Sequence, residues 1–267
     1  MPINERPFAV ITGASSGLGK SYAHQLAEQG HNLLLVARRG ELLRQIKTEI
    51  EAKNSVHVEI DVADLADEQQ AIKLAERIRQ LPRIDYLINN AGFGLRNMFP
   101  DVMIEEEIAM IRVHCEASVR FCQAALFPMR KQGRGNIINV ASLAAYLTGP
   151  AAAEYCATKA FLRSFSISLQ DDVRQHGVKV QALCPGFVHT GFHDSESMKG
   201  NDQKKFFPKF LWLNCDRVVR DSLRAVQKRR SRVVAIPSLR YKLIFALNNI
   251  PIFSTLVAAI VRMLFKQ

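Results

Sequence analysis

Three polar residues in the second half of the chain have the types and spacing needed for proton transfer to a carbonyl oxygen. Ser142 is followed by Tyr155 thirteen residues later and by Lys159 four residues after that. Residues at i and i+4 of a helix share a face, so the phenol and the ammonium should project together. A phenol with an ordinary pKa of about 10 is a poor base at neutral pH, and a neighbouring ammonium favours the phenolate. The set predicts carbonyl reduction or alcohol oxidation, with Tyr155 exchanging the proton, Lys159 tuning it and Ser142 orienting the substrate.

A glycine-rich turn near the N-terminus predicts a phosphate-binding site. The segment 12–19 reads TGASSGLG and lies between a predicted strand and a predicted helix. Glycine removes the side chain where backbone N–H groups must approach a pyrophosphate, and the helix N-terminus turns its positive end to the phosphates. The pattern predicts a dinucleotide site at this turn, formed by Gly13, Ser15, Ser16, Gly17, Leu18 and Gly19.

The ends of the next three predicted strands indicate which dinucleotide would bind. The second strand ends in Arg38 and Arg39, with no carboxylate for a ribose 2′-hydroxyl. Because a guanidinium matches a 2′-phosphate, we predict NADP(H) rather than NAD(H). Asp61 and Val62 end the third strand, where they could meet the adenine. In the fourth strand, Asn89 is as readily explained by pinning neighbouring strands as by ligand contact. The small residues after it would let the ribose and nicotinamide lie against the sheet edge: Asn90, Ala91 and Gly92.

Short apolar runs alternate with helical patterns along the whole chain. Continuous apolar runs are typical of strands covered on both faces, and the alternation with helices indicates βαβ units. The sequence therefore predicts an α/β fold, a Rossmann-type doubly wound parallel sheet flanked by helices, in a single domain of residues 1–267. The predicted strands are 8–12, 32–37, 56–60, 86–89, 136–140, 178–183 and 232–236. The predicted helices are 17–29, 41–52, a segment capped by Asp64 and ending at Arg79, 104–131 (bent or ended by Pro128), 152–175 and 216–228.

Together these motifs resemble those of the short-chain dehydrogenase/reductase family. TGASSGLG, INNAG, the Ser142–Tyr155–Lys159 spacing and PGFVHT follow one another in that family's order over about residues 7–190. The resemblance implies that Tyr155 and Lys159 also contact the cofactor, Lys159 through the nicotinamide ribose. It further implies that the nicotinamide side is lined by Pro185, Gly186, Val188 and Thr190.

One position departs from the family's pattern. The family usually has an asparagine in the long fourth helix, where it holds a water for proton relay to the lysine, and this chain has His114 there. A histidine could hold that water through its backbone, titrate itself, weaken turnover or be purely structural. The alternative to an enzyme is therefore a non-catalytic NADP(H)-binding redox sensor or scaffold.

The substrate expected from the resemblance is a hydrophobic ketone. The ARR ending of the second strand and RVVAIP at 232–237 are similar to broad-specificity NADPH-linked carbonyl reductases, some of which act on acyl or sterol-like substrates. The net charge of +11 is concentrated in residues 199–267, which hold fifteen Lys and Arg and three Asp. This asymmetry indicates either a solvated face or contact with an anionic carrier or a membrane surface. No nucleic-acid partner is predicted, because the basic residues are not interleaved with stacking aromatics.

Two C-terminal segments carry no motif that defines a ligand. Residues 189–214 lack clear periodicity and are predicted to form a substrate lid. The apolar and basic tail 241–267 contains Pro251 and is too short an apolar run to span a bilayer. It is expected to pack on the domain, on another subunit or on a membrane surface.

The five cysteines include no CxxC pair, so neither a disulfide framework nor a metal site is expected. With no signal peptide evident, a cytoplasmic location is predicted, with peripheral membrane attachment left open. The resemblance implies a homo-oligomer.

Overall fold

Parallel strands form the central sheet of the protein. The computed structural model describes residues 6–95, 98–149, 151–190, 208–228 and 231–248. Its strands are β1 (Phe8–Thr12), β2 (Asn32–Ala37), β3 (Val58–Val62), β4 (Ile84–Asn89), β5 (Gly135–Val140), β6 (Val178–Leu183) and β7 (Val234–Ala235). They lie in the order β3-β2-β1-β4-β5-β6-β7, and every neighbouring pair is parallel. The predicted doubly wound, Rossmann-type sheet is confirmed.

Helices connect the strands and cover both faces of the sheet. They are α1 (Gly17–Glu28), α2 (Gly40–Lys53), α3 (Glu68–Gln80), α4 (Ile104–Ile111), α5 (Ala117–Gln132), α6 (Ala153–Val173), α7 (Cys215–Gln227) and α8 (Leu239–Asn248). A π-helical turn, Arg112–Glu116, joins α4 to α5. A π-turn inside a longer helix is rare and often lies at a functional site. This turn carries the departure noted in the sequence, His114.

The first strand explains why the apolar runs are continuous rather than alternating. Ala9 and Ile11 pack into a core with α1, α2 and α7, whereas Phe8 and Val10 pack into a second core with α3 and α5. All five residues of β1 are buried. Because helices cover both faces, the strand has no solvent side on which polar residues could alternate.

Several element boundaries differ from the sequence prediction. Strand β3 begins two residues later than expected because its ladder with β2 starts at the pair Leu33–Val58. Helix α3 is capped by Asp67, whose side chain accepts from the Gln70 N–H at 3.1 Å, and not by Asp64. Asp64 instead accepts from the backbone of the turn before the helix. Strand β7 contains only two residues, since its ladder with β6 has only two pairs.

Two further helix ends bear on the prediction. Helix α5 continues through Pro128 to Gln132, so the proline does not end it. Pro128 is buried against the second core, where tertiary packing can compensate for the missing backbone donor. The helix ends instead at Gly133, whose φ of 68° is left-handed, and Gly177 plays the same role after α6 with φ 70°.

The reversal of strand order determines where a ligand would lie. From β1 the chain proceeds outward to β2 and β3, then returns to β4 on the other side of β1. The turns that follow β1 and β4 therefore start side by side at the carboxyl edge of the sheet. Open α/β sheets bind their ligands in the crevice formed at such a point. The glycine-rich turn follows β1, and residues 90–92 follow β4.

Candidate active site

The glycine-rich turn after β1 is packed so closely that side chains would not fit. A Cβ on Gly19 would lie 2.2 Å from the Gly13 carbonyl oxygen, and one on Gly13 would lie 2.8 Å from the Asn90 side chain. Gly13 and Gly17 also have left-handed φ angles of 66° and 55°. Helix α1 begins at Gly17, so its first N–H groups face the crevice from this turn. In this arrangement a phosphate would contact backbone N–H groups rather than side chains at these glycines.

The two arginines after β2 are both exposed, and one of them reaches the glycine-rich turn. Arg39 donates from its guanidinium to the hydroxyls of Ser15 and Ser16, each at 2.9 Å. Arg38 lies next to it on the solvent side. An exposed guanidinium poised over two serine hydroxyls is suited to a phosphate monoester. No carboxylate lies at the end of β2 to compete for it.

The predicted adenine contacts lie at the end of β3, two strands away from β1. Asp61 is engaged in an ion pair with Arg77 at 2.7 Å. Arg77 also binds Glu59, and this pairing raises the pKa of the guanidinium. Val62 is 51% exposed and lies over Gly40 at the start of α2. Of the pair, Val62 offers a free apolar surface, whereas the carboxylate of Asp61 is occupied by the arginine.

The polar residues at the end of β4 connect this strand to the ends of β1 and β5 on either side of it. The Asn90 side chain donates to the Thr12 carbonyl at 2.9 Å, and the Thr12 hydroxyl accepts from the backbone N–H groups of Asn90 and Ala91 at 3.0 Å. Asn89 donates to Asn139 of β5 at 2.8 Å, deep in the sheet. Asn89 therefore pins neighbouring strands, which is the structural alternative considered from the sequence.

The predicted serine, tyrosine and lysine come together where the carboxyl end of β5 lies against the first turns of α6. Ser142 follows β5, and its hydroxyl accepts from the Ala144 N–H at 3.1 Å. Lys159 is 5% exposed, donates to the Val140 carbonyl at 3.0 Å and lies 5.6 Å from the centre of the Tyr155 ring.

Burial sets the protonation of these groups. It raises the pKa of Tyr155 to about 12, a shift that a hydrogen bond with Ser142 opposes, and it lowers the pKa of Lys159 to about 8. Desolvation disfavours the charged form of each group. Tyr155 is thus held as the neutral phenol, and Lys159 titrates close to neutral pH.

His114 lies directly behind this set. It is 1% exposed, its Nε2 accepts from the Phe93 N–H at 3.1 Å, and its Nδ1 lies 2.9 Å from the Thr158 hydroxyl. Burial, reinforced by the charge of Lys159, lowers the pKa of His114 well below its ordinary value of 6.5. The imidazole is therefore uncharged at neutral pH.

The loop after β6 contacts both the catalytic set and the C-terminal helix. Pro185 accepts a backbone hydrogen bond from Leu143 at 2.9 Å, next to Ser142. The Tyr241 ring of α8 covers Gly186 so closely that a Cβ there would lie 2.1 Å from it. The Tyr241 hydroxyl accepts from the Phe187 N–H at 3.0 Å.

The end of this loop returns to the nucleotide side. Val188 forms an isolated parallel bridge with Leu213, and His189 donates from its backbone to the same residue at 2.9 Å. The side chain of Thr190 lies 3.0 Å from where a Cβ of Gly17 would stand. The two ends of the predicted lid are therefore held together next to the glycine-rich turn. Its middle, residues 191–207, lies outside the described residues.

An apolar wall with one buried carboxyl group lies beside Tyr155. Glu107 of α4 is 5% exposed, and its Oε2 has no hydrogen-bond partner among the described residues. Burial and the neighbouring Glu154 raise its pKa. Beside Tyr155, the other lining residues are Leu95, Phe99, Met110, Ala151 to Ala153 and Glu154.

Sequence reasoning missed Glu107, Thr158 and Tyr241. Glu107 stands in an acidic run at the start of a helix, a pattern that usually means only a solvated first turn. Thr158 could have been noticed only from its position next to Lys159. Tyr241 lies 54 residues after the loop that it fixes, so no spacing rule connects them.

Most of the C-terminal tail, from residue 249 onward, lies outside the described residues. In the part of the chain that is described, none of the helices is long and apolar enough to span a membrane.

Comparison with known proteins identifies the family. The model of the short chain dehydrogenases matches residues 7–200. An uncharacterized oxidoreductase of Staphylococcus aureus is 31% identical over 201 residues, which cover 75% of this chain and 85% of that protein. The solved structure of a short-chain dehydrogenase from Sphingobium yanoikuyae in complex with NADPH has a TM-score of 0.80 and 29% identity, covering 91% of this chain and 93% of that chain.

A second solved structure is the bulky-bulky ketone specific alcohol dehydrogenase from Comamonas testosteroni, with a TM-score of 0.76 and 26% identity. It covers 91% of this chain and 92% of that chain. The chain therefore belongs to the short-chain dehydrogenase family, as the sequence motifs indicated. This membership makes it an oxidoreductase by class.

Proposed function

We propose that the protein is an NADP(H)-dependent oxidoreductase that transfers a hydride between the nicotinamide and a carbonyl or secondary alcohol. One observation carries the proposal. Ser142, Tyr155 and Lys159 meet at the carboxyl edge of the sheet, beside the crevice that the strand reversal creates. A proton donor, a neighbouring cation and a hydroxyl for the substrate oxygen are what carbonyl reduction requires.

NADP(H) is the cofactor that the residues fit best. The closely packed turn at Gly13 and Gly19 would present backbone to the pyrophosphate, and the exposed Arg39, bonded to the Ser15 hydroxyl, would bind a 2′-phosphate. The similar Sphingobium yanoikuyae enzyme is in complex with NADPH. Bound NADP(H) would supply or accept the hydride. The remaining proposed contacts are Arg38, Asp61, Val62 and Asn90 to Gly92, from the strand ends, and Pro185, Gly186, Val188 and Thr190, from the family resemblance.

The protein's own groups can supply the proton that reduction of a carbonyl requires. With its pKa raised to about 12, Tyr155 is held as a phenol that can give its proton to the substrate oxygen as negative charge develops there. The Ser142 hydroxyl, which shares a hydrogen bond with Tyr155, would orient the same oxygen. Lys159, whose Nζ lies close to the phenol, would stabilise the phenolate left behind. Alcohol oxidation would start from the less favoured phenolate.

A hydrophobic ketone is the proposed substrate class. Apolar side chains, among them Leu95, Phe99 and Met110, line the wall beside Tyr155 together with two glutamates. The similar Comamonas testosteroni enzyme is specific for bulky-bulky ketones. Delivery on an anionic carrier or at a membrane surface, a cytoplasmic location and a homo-oligomeric state stay predictions from the sequence.

The experiment is a screen of the purified protein against ketones, from small aldehydes to long-chain 3-ketoacyl thioesters and steroids, with NADPH and then NADH. We expect turnover with NADPH favoured, and we expect Tyr155→Phe to reduce turnover by about 10²- to 10⁴-fold while NADPH still binds. Absence of turnover in the unmodified protein despite tight NADPH binding would instead support the sensor or scaffold function. Equal turnover by Tyr155→Phe would contradict the assigned proton donor.

A further inference from the structure

A buried histidine connects the end of β4 to the helix that carries the proposed catalytic residues. We infer that His114 is a positioning residue, whose imidazole joins the backbone of Phe93 to Thr158 and so holds the helical turn of Tyr155 and Lys159 against the crevice. The inference rests on the proposed function for its catalytic consequence. The connection itself rests on hydrogen bonds and packing alone.

The hydrogen bonds admit one assignment of protons. A backbone N–H can only donate, so Nε2 of His114 accepts from Phe93 at 3.1 Å and the ring proton lies on Nδ1. Nδ1–H then donates to the Thr158 hydroxyl at 2.9 Å, and that hydroxyl donates to the Tyr155 carbonyl at 3.0 Å. Every donor in this series has one acceptor. The series runs from the strand edge to the backbone of the proposed proton donor.

The imidazole packs closely against Gly92 and between two aromatic rings. A Cβ on Gly92 would lie 2.6 Å from His114 Nε2 and 3.5 Å from Lys159 Nζ. The Phe93 and Tyr155 rings each lie 6.0 Å from the imidazole centre. His114 thus fills the gap between strand and helix, and the small residue at position 92 is needed to admit it.

Burial, the charge of Lys159 and the hydrogen bonds of the ring argue against a role in proton transfer. Lys159 lies on the same side as the ring and, together with burial, disfavours the imidazolium. Both ring nitrogens are already used, one as an acceptor and one as a donor. Of the possibilities raised by the sequence, direct titration during turnover is therefore inconsistent with the geometry. The histidine acts on Tyr155 through Thr158.

The test separates the two hydrogen bonds of the imidazole. His114→Gln can still accept from Phe93, His114→Asn can still reach Thr158, and His114→Leu can do neither. Thr158→Val removes the second hydrogen bond from the other side while keeping the side-chain shape. His24→Asn, on the half-buried face of α1 next to Glu49, is the matched control. Three quantities are measured for each variant: turnover of the best ketone, NADPH affinity by fluorescence, and amide exchange at Phe93 by NMR.

We expect His114→Leu and Thr158→Val each to lower kcat by about 10- to 100-fold, because a small displacement of Tyr155 misaligns the proton transfer. Their NADPH affinities should stay within about threefold of the unmodified value, and the double variant should be no slower than the worse single variant. The Phe93 amide should exchange about tenfold faster in His114→Leu and His114→Asn, and at the original rate in His114→Gln and Thr158→Val. His24→Asn should leave all three quantities unchanged.

Unchanged turnover together with unchanged Phe93 exchange in His114→Leu would overturn the inference. If that variant does not fold, normal kcat in Thr158→Val would overturn it equally. If the unmodified protein reduces no ketone, the proposed function fails, and the exchange rate still decides whether His114 holds the strand to the helix. Faster exchange in His114→Asn than in His114→Gln would support the connection even then.

Discussion

The two ends of the crevice are built by different means. At the nucleotide end, between β1 and β2, backbone packs on backbone at Gly13 and Gly19, and the charged Arg39 is exposed. At the catalytic end, between β4 and α6, His114 and Lys159 are buried, 1% and 5% exposed, and hydrogen-bond to the Phe93 N–H, the Thr158 hydroxyl and the Val140 carbonyl. Cofactor binding at the nucleotide end should therefore be sensitive to any added atom. Turnover and stability at the catalytic end should be sensitive to the loss of a hydrogen bond or a change of charge.

The largest effect should come from adding one methyl group at the nucleotide end. In Gly19→Ala the new Cβ would lie 2.2 Å from the Gly13 carbonyl oxygen, so the turn must shift. We expect NADPH affinity to fall on the order of 100-fold, because the backbone N–H groups would no longer meet the pyrophosphate in place. Equilibrium binding by fluorescence quenching measures the change.

Gly30→Ala is the control for this prediction. Gly30 has a left-handed φ of 84°, so a side chain there strains the backbone, but its Cβ would have nothing within 4 Å. It should cost about 1–2 kcal/mol of stability through the backbone conformation and leave NADPH affinity unchanged. Equal losses of affinity in both variants would mean that general destabilisation, and not the close approach at Gly19, limits binding.

A smaller effect at the same end should come from removing a charge. In Arg39→Ala the guanidinium that spans the Ser15 and Ser16 hydroxyls is lost. We expect NADPH affinity to fall about tenfold and NADH affinity to stay constant, since a charge-assisted hydrogen bond contributes about 1.5–3 kcal/mol. Arg174→Ala, which removes an exposed arginine paired with Asp171, should change neither affinity. A parallel loss for both dinucleotides would exclude Arg39 as the group that distinguishes them.

The difference between the two ends also explains how much the sequence could predict. The fold followed from continuous apolar runs, because helices on both faces leave β1 without a polar side. The glycine-rich turn and the spacing of Tyr155 and Lys159 are local patterns, and a local pattern is visible in one stretch of sequence.

The rest of the site depends on pairs of residues that are distant along the chain. His114 meets Thr158 across 44 positions, and Tyr241 meets Phe187 across 54. No periodicity encodes such contacts, since they arise from how helices pack on the sheet. Asp64 failed as a cap for a different reason: Asp67 stands directly before the helix, and its carboxylate accepts hydrogen bonds from both the backbone N–H and the side-chain amide of Gln70, at 3.1 and 3.0 Å.

The smallest expected effect is a pH dependence of stability at the catalytic end. The pKa of His114 is lowered in the folded protein, so the unfolded chain binds a proton below about pH 6.5 and the folded protein does not. The stability that His114 contributes is therefore complete above this pH and is lost as the pH falls, at up to about 1.4 kcal/mol per pH unit. His114→Asn lacks this titration, so the stability gap between the two proteins should narrow by about 1 kcal/mol between pH 7 and pH 5.5.

The basic and phenolic or thiol groups near His114 do not titrate in this window, and any titration of Glu107, whose pKa burial raises, is common to both proteins and cancels from the gap. The pKa of Lys159 is about 8, that of Cys115 about 11 and that of Tyr155 about 12, all above it. Urea unfolding of both proteins across the range measures the gap. A gap that stays constant would mean that the folded protein accepts a proton at His114 as readily as the unfolded chain does. That result is incompatible with an Nε2 committed to the Phe93 N–H, because a protonated ring nitrogen would face another donor. The catalytic end would then be as open to solvent as the nucleotide end, and the contrast between them would not hold.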